Sequence, residues 1–169
     1  MAESYIRAGM SLEKSQIQSL REQAKEALKD AIMNKGKHPE DYTITDILPA
    51  EDLGFPNEKW EYTFSNADEW ETLVDQKLPD EKFIVFYGYT NTASDPATLA
   101  VRFYKGASIE QILHTQGIYA QKEPFAYFEP IVWAEGDQMK VELYGKAAAT
   151  DEPVFLGFVA TRKGARLTK

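Results

Sequence analysis

The sequence predicts a mainly β protein: an antiparallel β-sandwich, jelly-roll-like, with an N-terminal amphipathic α-helix and an extended acidic connector. Three observations carry this. Aromatic residues make up 12% of the chain within an apolar fraction of 43%, and aromatic and β-branched side chains suit a pleated, half-buried surface. Short runs with period-two alternation recur through the second half, separated by turn residues. Near the N-terminus, a segment instead holds apolar residues at three- and four-residue spacing.

That segment, residues 11–34, puts Ile17, Leu20, Ala24, Ala27, Leu28, Ala31 and Ile32 on one stripe. Lys14, Gln18, Arg21, Glu22, Lys25, Glu26 and Lys29 lie opposite. Ser11 is a suitable N-cap, and Asn34-Lys35-Gly36 a suitable stop. The stripe is narrow and rich in alanine, so it buries little area by itself. Residues 1–36 are therefore expected to form a helical arm. Its Ile17, Leu20, Ala24 and Leu28 are expected to dock on a neighbouring subunit or across the sandwich.

Residues 37–81 contain Pro39, Pro49, Pro56 and Pro79. From 40 to 81 there are 13 acids against two bases, Lys59 and Lys77. The stretch reads as an irregular acidic connector, with a short strand at 60–64 and a short helix at 67–74 capped by Asn66. The β-sandwich domain is expected at 82–169. Residues 83–89 and 154–160 are apolar on both faces, as central strands are. Leu99, Val101 and Phe103 alternate with polar neighbours, as do Met139, Val141 and Leu143. A helical turn or two is expected at 108–114. A strand at 125–133 is interrupted by Pro130, which implies an edge or a bulge. The end of the chain is basic, with Arg162, Lys163, Arg166 and Lys169 and no acid.

The bulk composition removes several function classes. There is no cysteine, hence no disulfide, thiol nucleophile or cysteine-based zinc site. The net charge is −8, which argues against direct nucleic-acid binding, since that relies on clustered Lys and Arg. The longest apolar runs are too short to cross a bilayer, and residues 1–10 lack the apolar core of a signal peptide. No membrane association and no cofactor are expected.

The residues that could carry chemistry are scattered. His38 and His114 stand far apart and in no metal-ligand spacing. No serine sits in a nucleophile elbow. Gly88, Gly106, Gly117, Gly136, Gly145 and Gly157 are isolated, as turn or bulge glycines are. Glu129, Glu135, Asp137 and Glu142 are neighbours in sequence and the closest approach to a paired-carboxylate glycosidase site, but a turn and a polar strand face account for them. Asp41, Asp46, Glu51 and Asp52 offer several oxygens for a hard cation in a spacing unlike an EF-hand. The chain is therefore expected not to be an enzyme. The aromatic crowd of the β region, including Tyr89, Tyr104, Tyr119, Tyr127, Trp133 and Tyr144, is the stronger feature. A surplus on one face would make a protein interface or a sugar-stacking platform.

Residues 83–161 carry a pattern with a likeness elsewhere. It runs Phe83-Ile84-Val85-Phe86-Tyr87-Gly88-Tyr89-Thr90-Asn91, then Asp95-Pro96-Ala97-Thr98-Leu99-Ala100-Val101-Arg102-Phe103. Tyr127-Phe128-Glu129-Pro130-Ile131, Val141-Glu142-Leu143-Tyr144-Gly145 and Phe155-Leu156-Gly157-Phe158-Val159 follow. This pattern resembles the β-sandwich cement and decoration proteins on the capsids of tailed bacteriophages. The resemblance covers about half the chain. It implies a virion structural protein on the capsid surface, assembled in the host cytoplasm, with no catalytic residues. Its partners would be other copies or a major capsid protein, reached through the helix stripe, the aromatics and the basic Arg162, Lys163 and Arg166. The alternatives are a carbohydrate-binding or lectin-like sandwich and a small carboxylate enzyme.

Overall fold

A computed structural model describes residues 5–8, 14–118 and 125–165. The elements run β1 (Tyr5–Ala8), α1 (Lys14–Asn34), β2 (Tyr42–Asp46), α2 (Pro49–Leu53), β3 (Tyr62–Thr63), β4 (Glu69–Lys77), β5 (Lys82–Asn91), β6 (Thr98–Lys105), β7 (Ser108–His114), β8 (Phe125–Trp133), β9 (Gln138–Gly145), β10 (Thr150–Asp151) and β11 (Pro153–Arg162). A five-stranded sheet has the order β1-β8-β5-β11-β2, and a four-stranded sheet the order β4-β9-β6-β7. All pairings are antiparallel.

The pairing is nested. β6 pairs with β7, β5 with β8, β4 with β9, and β2 with β11. Successive pairs fall alternately in the four- and five-stranded sheets. An eight-stranded hairpin rolled up in this way is a jelly roll. β1 extends the five-stranded sheet, and β3 and β10 form a separate two-stranded ribbon.

The core lies between the sheets. Phe86 sits at its centre, 5.7 Å from Phe103, 5.2 Å from Trp133 and 5.4 Å from Phe155 between ring centroids. Trp133 also donates its indole N–H to the Tyr104 carbonyl at 2.8 Å, which ties β8 of one sheet to β6 of the other. β5 is buried on both faces from Phe83 to Asn91, as its unbroken apolar run requires, because α1 covers its outer side. β11 carries a bulge at Leu156/Gly157. A Cβ on Gly157 would lie 2.0 Å from the Val85 carbonyl oxygen, so only glycine fits there. β8 bulges opposite Phe86–Gly88, and Pro130 falls within that bulge, beyond the reach of β1, as its missing N–H demands.

Several sequence expectations need correction. The helix starts no later than Lys14, and Ser11 lies outside the described residues. Its end is as expected: Gly36 takes φ 75°, with Gly36 N–H bonded to Met33 O and Lys37 N–H to Ile32 O, a Schellman cap. Of its two expected docking places, α1 takes the one across the sandwich and is not a free arm. Ala24, Leu28 and Ile32 are fully buried against Phe83, Val85, Tyr87, Phe158 and Ala160 of the chain's own sheet. The stripe 37–81 is no irregular connector either, since it supplies β2 and β4, the outer strands of the two sheets. The expected strand at 60–64 shrinks to Tyr62–Thr63. The expected helices at 67–74 and 108–114 are the strands β4 and β7.

Candidate functional site: the open face of the four-stranded sheet

The helix covers the five-stranded sheet, and among the described residues no element covers the outer face of the four-stranded one. Register fixes what that face shows. Trp70 of β4 lies beside Tyr144 of β9, and Thr72 beside Glu142. Asp75 lies beside Lys140. On β6, Ala100, Arg102 and Tyr104 stand beside Tyr144, Glu142 and Lys140. On β7, His114, Ile112 and Ile109 complete the three rows. The alternate residues Val74, Val101, Phe103, Leu113, Met139, Val141 and Leu143 point inward and belong to the core.

Arg102 is the hub of this face. Its guanidinium carbon is 3.7 Å from the Trp70 ring centroid and 5.8 Å from that of Tyr104. Trp70 meets Tyr144 edge to face at 5.4 Å. Lys140 Nζ lies 5.2 Å from the Tyr104 ring. Arg102 Nη2 is 2.9 Å from Glu142 Oε1. That is an ion-pair distance without hydrogen-bond alignment, and neither Arg102 Nε nor Glu142 Oε1 has a hydrogen-bond partner among the described residues. Lys140 Nζ reaches the other Glu142 oxygen at 3.7 Å. Burial first, and then the neighbouring Glu142 carboxylate, hold the Tyr104 hydroxyl above its ordinary value of 10.0. The face therefore combines half-exposed rings and aliphatics with a charge cluster that neutralises itself.

Of the expected interaction residues, Tyr104 and Tyr144 belong to this face. Ile17 and Leu20 are half-buried against the sheet under the helix. Tyr89, Tyr127 and Trp133 are interior. Arg162 is bonded to Glu81 of its own chain at 3.0 Å. Lys163 is exposed, while Tyr119 and Arg166 lie outside the described residues. Trp70, Arg102, Ile112 and Lys140 are the contributors that sequence reasoning missed. The strict polar-apolar alternation of β9 and β6 already placed Lys140 and Arg102 outside; Trp70 and Ile112 are hidden by bulges.

Three of the scattered acids have structural roles. Asp52 is fully buried, pairs with Lys82 at 2.9 Å and accepts from the Leu48 N–H at 2.7 Å, holding the start of α2. Glu135 accepts from Lys37 at 2.6 Å, and Asp137 caps the Ala134 N–H at 2.8 Å. Asp41 and Asp46 are exposed. No group of three or more His, Asp or Glu side chains gathers to hold a metal among the described residues. His38 and His114 are both exposed and sit on different elements. No protein-family model matches this sequence, and no curated protein matches it.

Proposed function

We propose that the protein is a non-enzymatic virion structural protein, a capsid cement, decoration or minor capsid protein that binds neighbouring subunits. The observation that carries this reading is the open face of the four-stranded sheet, where Trp70, Tyr104, Tyr144, Ile109 and Ile112 surround the Arg102–Glu142 pair. Aromatics and arginine with few unpaired charges are the composition of interface cores. The jelly roll occurs in viral capsid domains, and equally in lectins and cupins, so the fold supports the reading only by analogy.

The second reading, a carbohydrate-binding sandwich, draws on the same rings. Sugar stacking needs a free aromatic face. One face of Trp70 is occupied by the Arg102 guanidinium, which favours a protein partner. Immunogold electron microscopy of virions purified from the source tests the proposal. Regularly spaced label on particles is the expected result. Unlabelled particles, with the protein retained in the lysate or captured by a glycan array, would overturn it.

A further inference from the structure

We propose that the open face pairs with a second copy of the chain, about a two-fold axis running parallel to the strands between β9 and β6. The argument is one of charge. A chain of net charge −8 resists meeting itself over most of its surface. The open face carries Arg102 and Lys140 against Glu142 and Asp75, so two copies can meet there without net repulsion.

The register then selects the axis. A two-fold along the strands lays β9 of one copy over β6 of the other and β4 over β7. Glu142 then opposes Arg102 of the other copy, Lys140 opposes the other Tyr104, and Thr72 opposes the other Ile112. Both salt-bridging groups thus gain a second opposite charge, and the lysine gains a second ring. A two-fold across the strands at the same level instead stacks Glu142 on Glu142 and Arg102 on Arg102, which costs energy at contact. Contacts of this kind are isologous and close on themselves, so they give a dimer and not a fibre. Aligned sheets cross at about 30°, so the Glu142–Arg102 row at the centre meets most closely.

The absence of cysteine makes the test direct. Thr72→Cys and Ile112→Cys proteins, mixed and treated with a short bismaleimide whose reach matches sheets packed about 10 Å apart, are expected to give a cross-linked dimer of one of each. Thr72→Cys alone is expected to stay uncross-linked. Thr72 is exposed, so Thr72→Arg leaves the fold intact, and it is expected to weaken dimerisation at least about tenfold in sedimentation equilibrium. The proposal fails if the unmodified protein is a monomer at about 1 mM, the weak end of specific binding. It fails equally if Thr72→Cys links to itself in preference to Ile112→Cys. This inference rests on reading the face as an assembly surface. A monomer that still labels virions removes the two-fold alone, whereas unlabelled virions with an intact dimer remove the capsid reading alone.

Discussion

The Arg102 guanidinium lies over the Trp70 ring at 3.7 Å while its Nη2 holds Glu142 at 2.9 Å. One side chain thus spans β6, β9 and β4. Planar, weakly hydrated guanidinium is suited to stacking and ion pairing at once, and a lysine at this position would lose the stack.

Arg102→Ala should therefore cost about 2 kcal/mol, from the lost stack and from the partly buried Glu142 left with only the more distant Lys140, at 3.7 Å. Arg102→Ala combined with Glu142→Gln should cost less than the sum of the two single changes, since the poorly paired charge is gone. Urea denaturation of the four proteins measures this. Strictly additive losses would mean that the pair is uncoupled.

Asp151 is fully buried. Its Oδ2 accepts from Asn91 Nδ2 and Thr98 N–H at 2.9 Å, and from Thr98 Oγ1 at 2.5 Å. This joins the end of β5 in one sheet to the start of β6 in the other. Oδ1 has no partner among the described residues. Asp151→Ala strands three donors and should cost about 3 kcal/mol. Asp151→Asn keeps one acceptor oxygen and puts its amide on the partnerless side, so it should cost less. Equal losses in chemical denaturation would show that Oδ2 is not the anchor.

Much of the fold is legible in the sequence. β5 and β11 announce themselves as doubly buried strands, and β9 alternates without error. The two misread strands share one cause. In β7, Ile109, Ile112 and Leu113 stand at helical spacing, but a bulge at Glu110 sends both isoleucines outward and Leu113 inward. In β4, Trp70, Leu73 and Val74 show the same spacing, and a bulge between Thr72 and Val74 puts Trp70 outside and Val74 inside. A bulge adds one residue to a period of two, and the result looks like a period near 3.6. The open face takes Trp70, Ile109 and Ile112 from these two strands, so its two flanks were hidden by the same two insertions, whereas Arg102, Tyr104, Lys140 and Tyr144 sit on the plain alternation of β6 and β9.

Acid should loosen the turn before β4. Burial acts to raise the Glu71 carboxyl, but the Ser65 and Asn66 backbone N–H groups and the Tyr62 hydroxyl outweigh it and hold the group below its ordinary value of 4.5. A carboxylate lowered in the folded state stabilises the protein above pH 4.5, and that contribution disappears as pH falls through the lower folded value. Melting curves of the native protein and Glu71→Gln should differ at pH 6 and converge below pH 4.5. A constant gap down to pH 3 would mean that the carboxylate's charge plays no part.

The helix gives the last prediction, and it reverses what the sequence implied. An alanine-rich stripe looked too small to be core, but the alanines let α1 sit close to β5 and β11, where larger residues fill the gap from the sheet side. Phe158 lies under Arg21, 4.9 Å from its guanidinium carbon, and under Lys25, 5.2 Å from its ammonium. Arg21 also donates to the Tyr87 hydroxyl at 3.2 Å. Removing residues 1–36 would expose Phe83, Val85, Tyr87, Phe158 and Ala160 together, an apolar patch of the kind that soluble domains do not leave bare. The truncated protein should lose its cooperative melt and aggregate. A gentler change separates packing from truncation: Leu28→Ala should cost about 3 kcal/mol, as buried leucine truncations do. Ser15→Ala, on the exposed side, should change stability by less than about 0.5 kcal/mol. If the truncation melts as sharply as the whole chain, the helix is a detachable arm after all, and the outer face of the five-stranded sheet becomes a second surface to which a neighbour can bind.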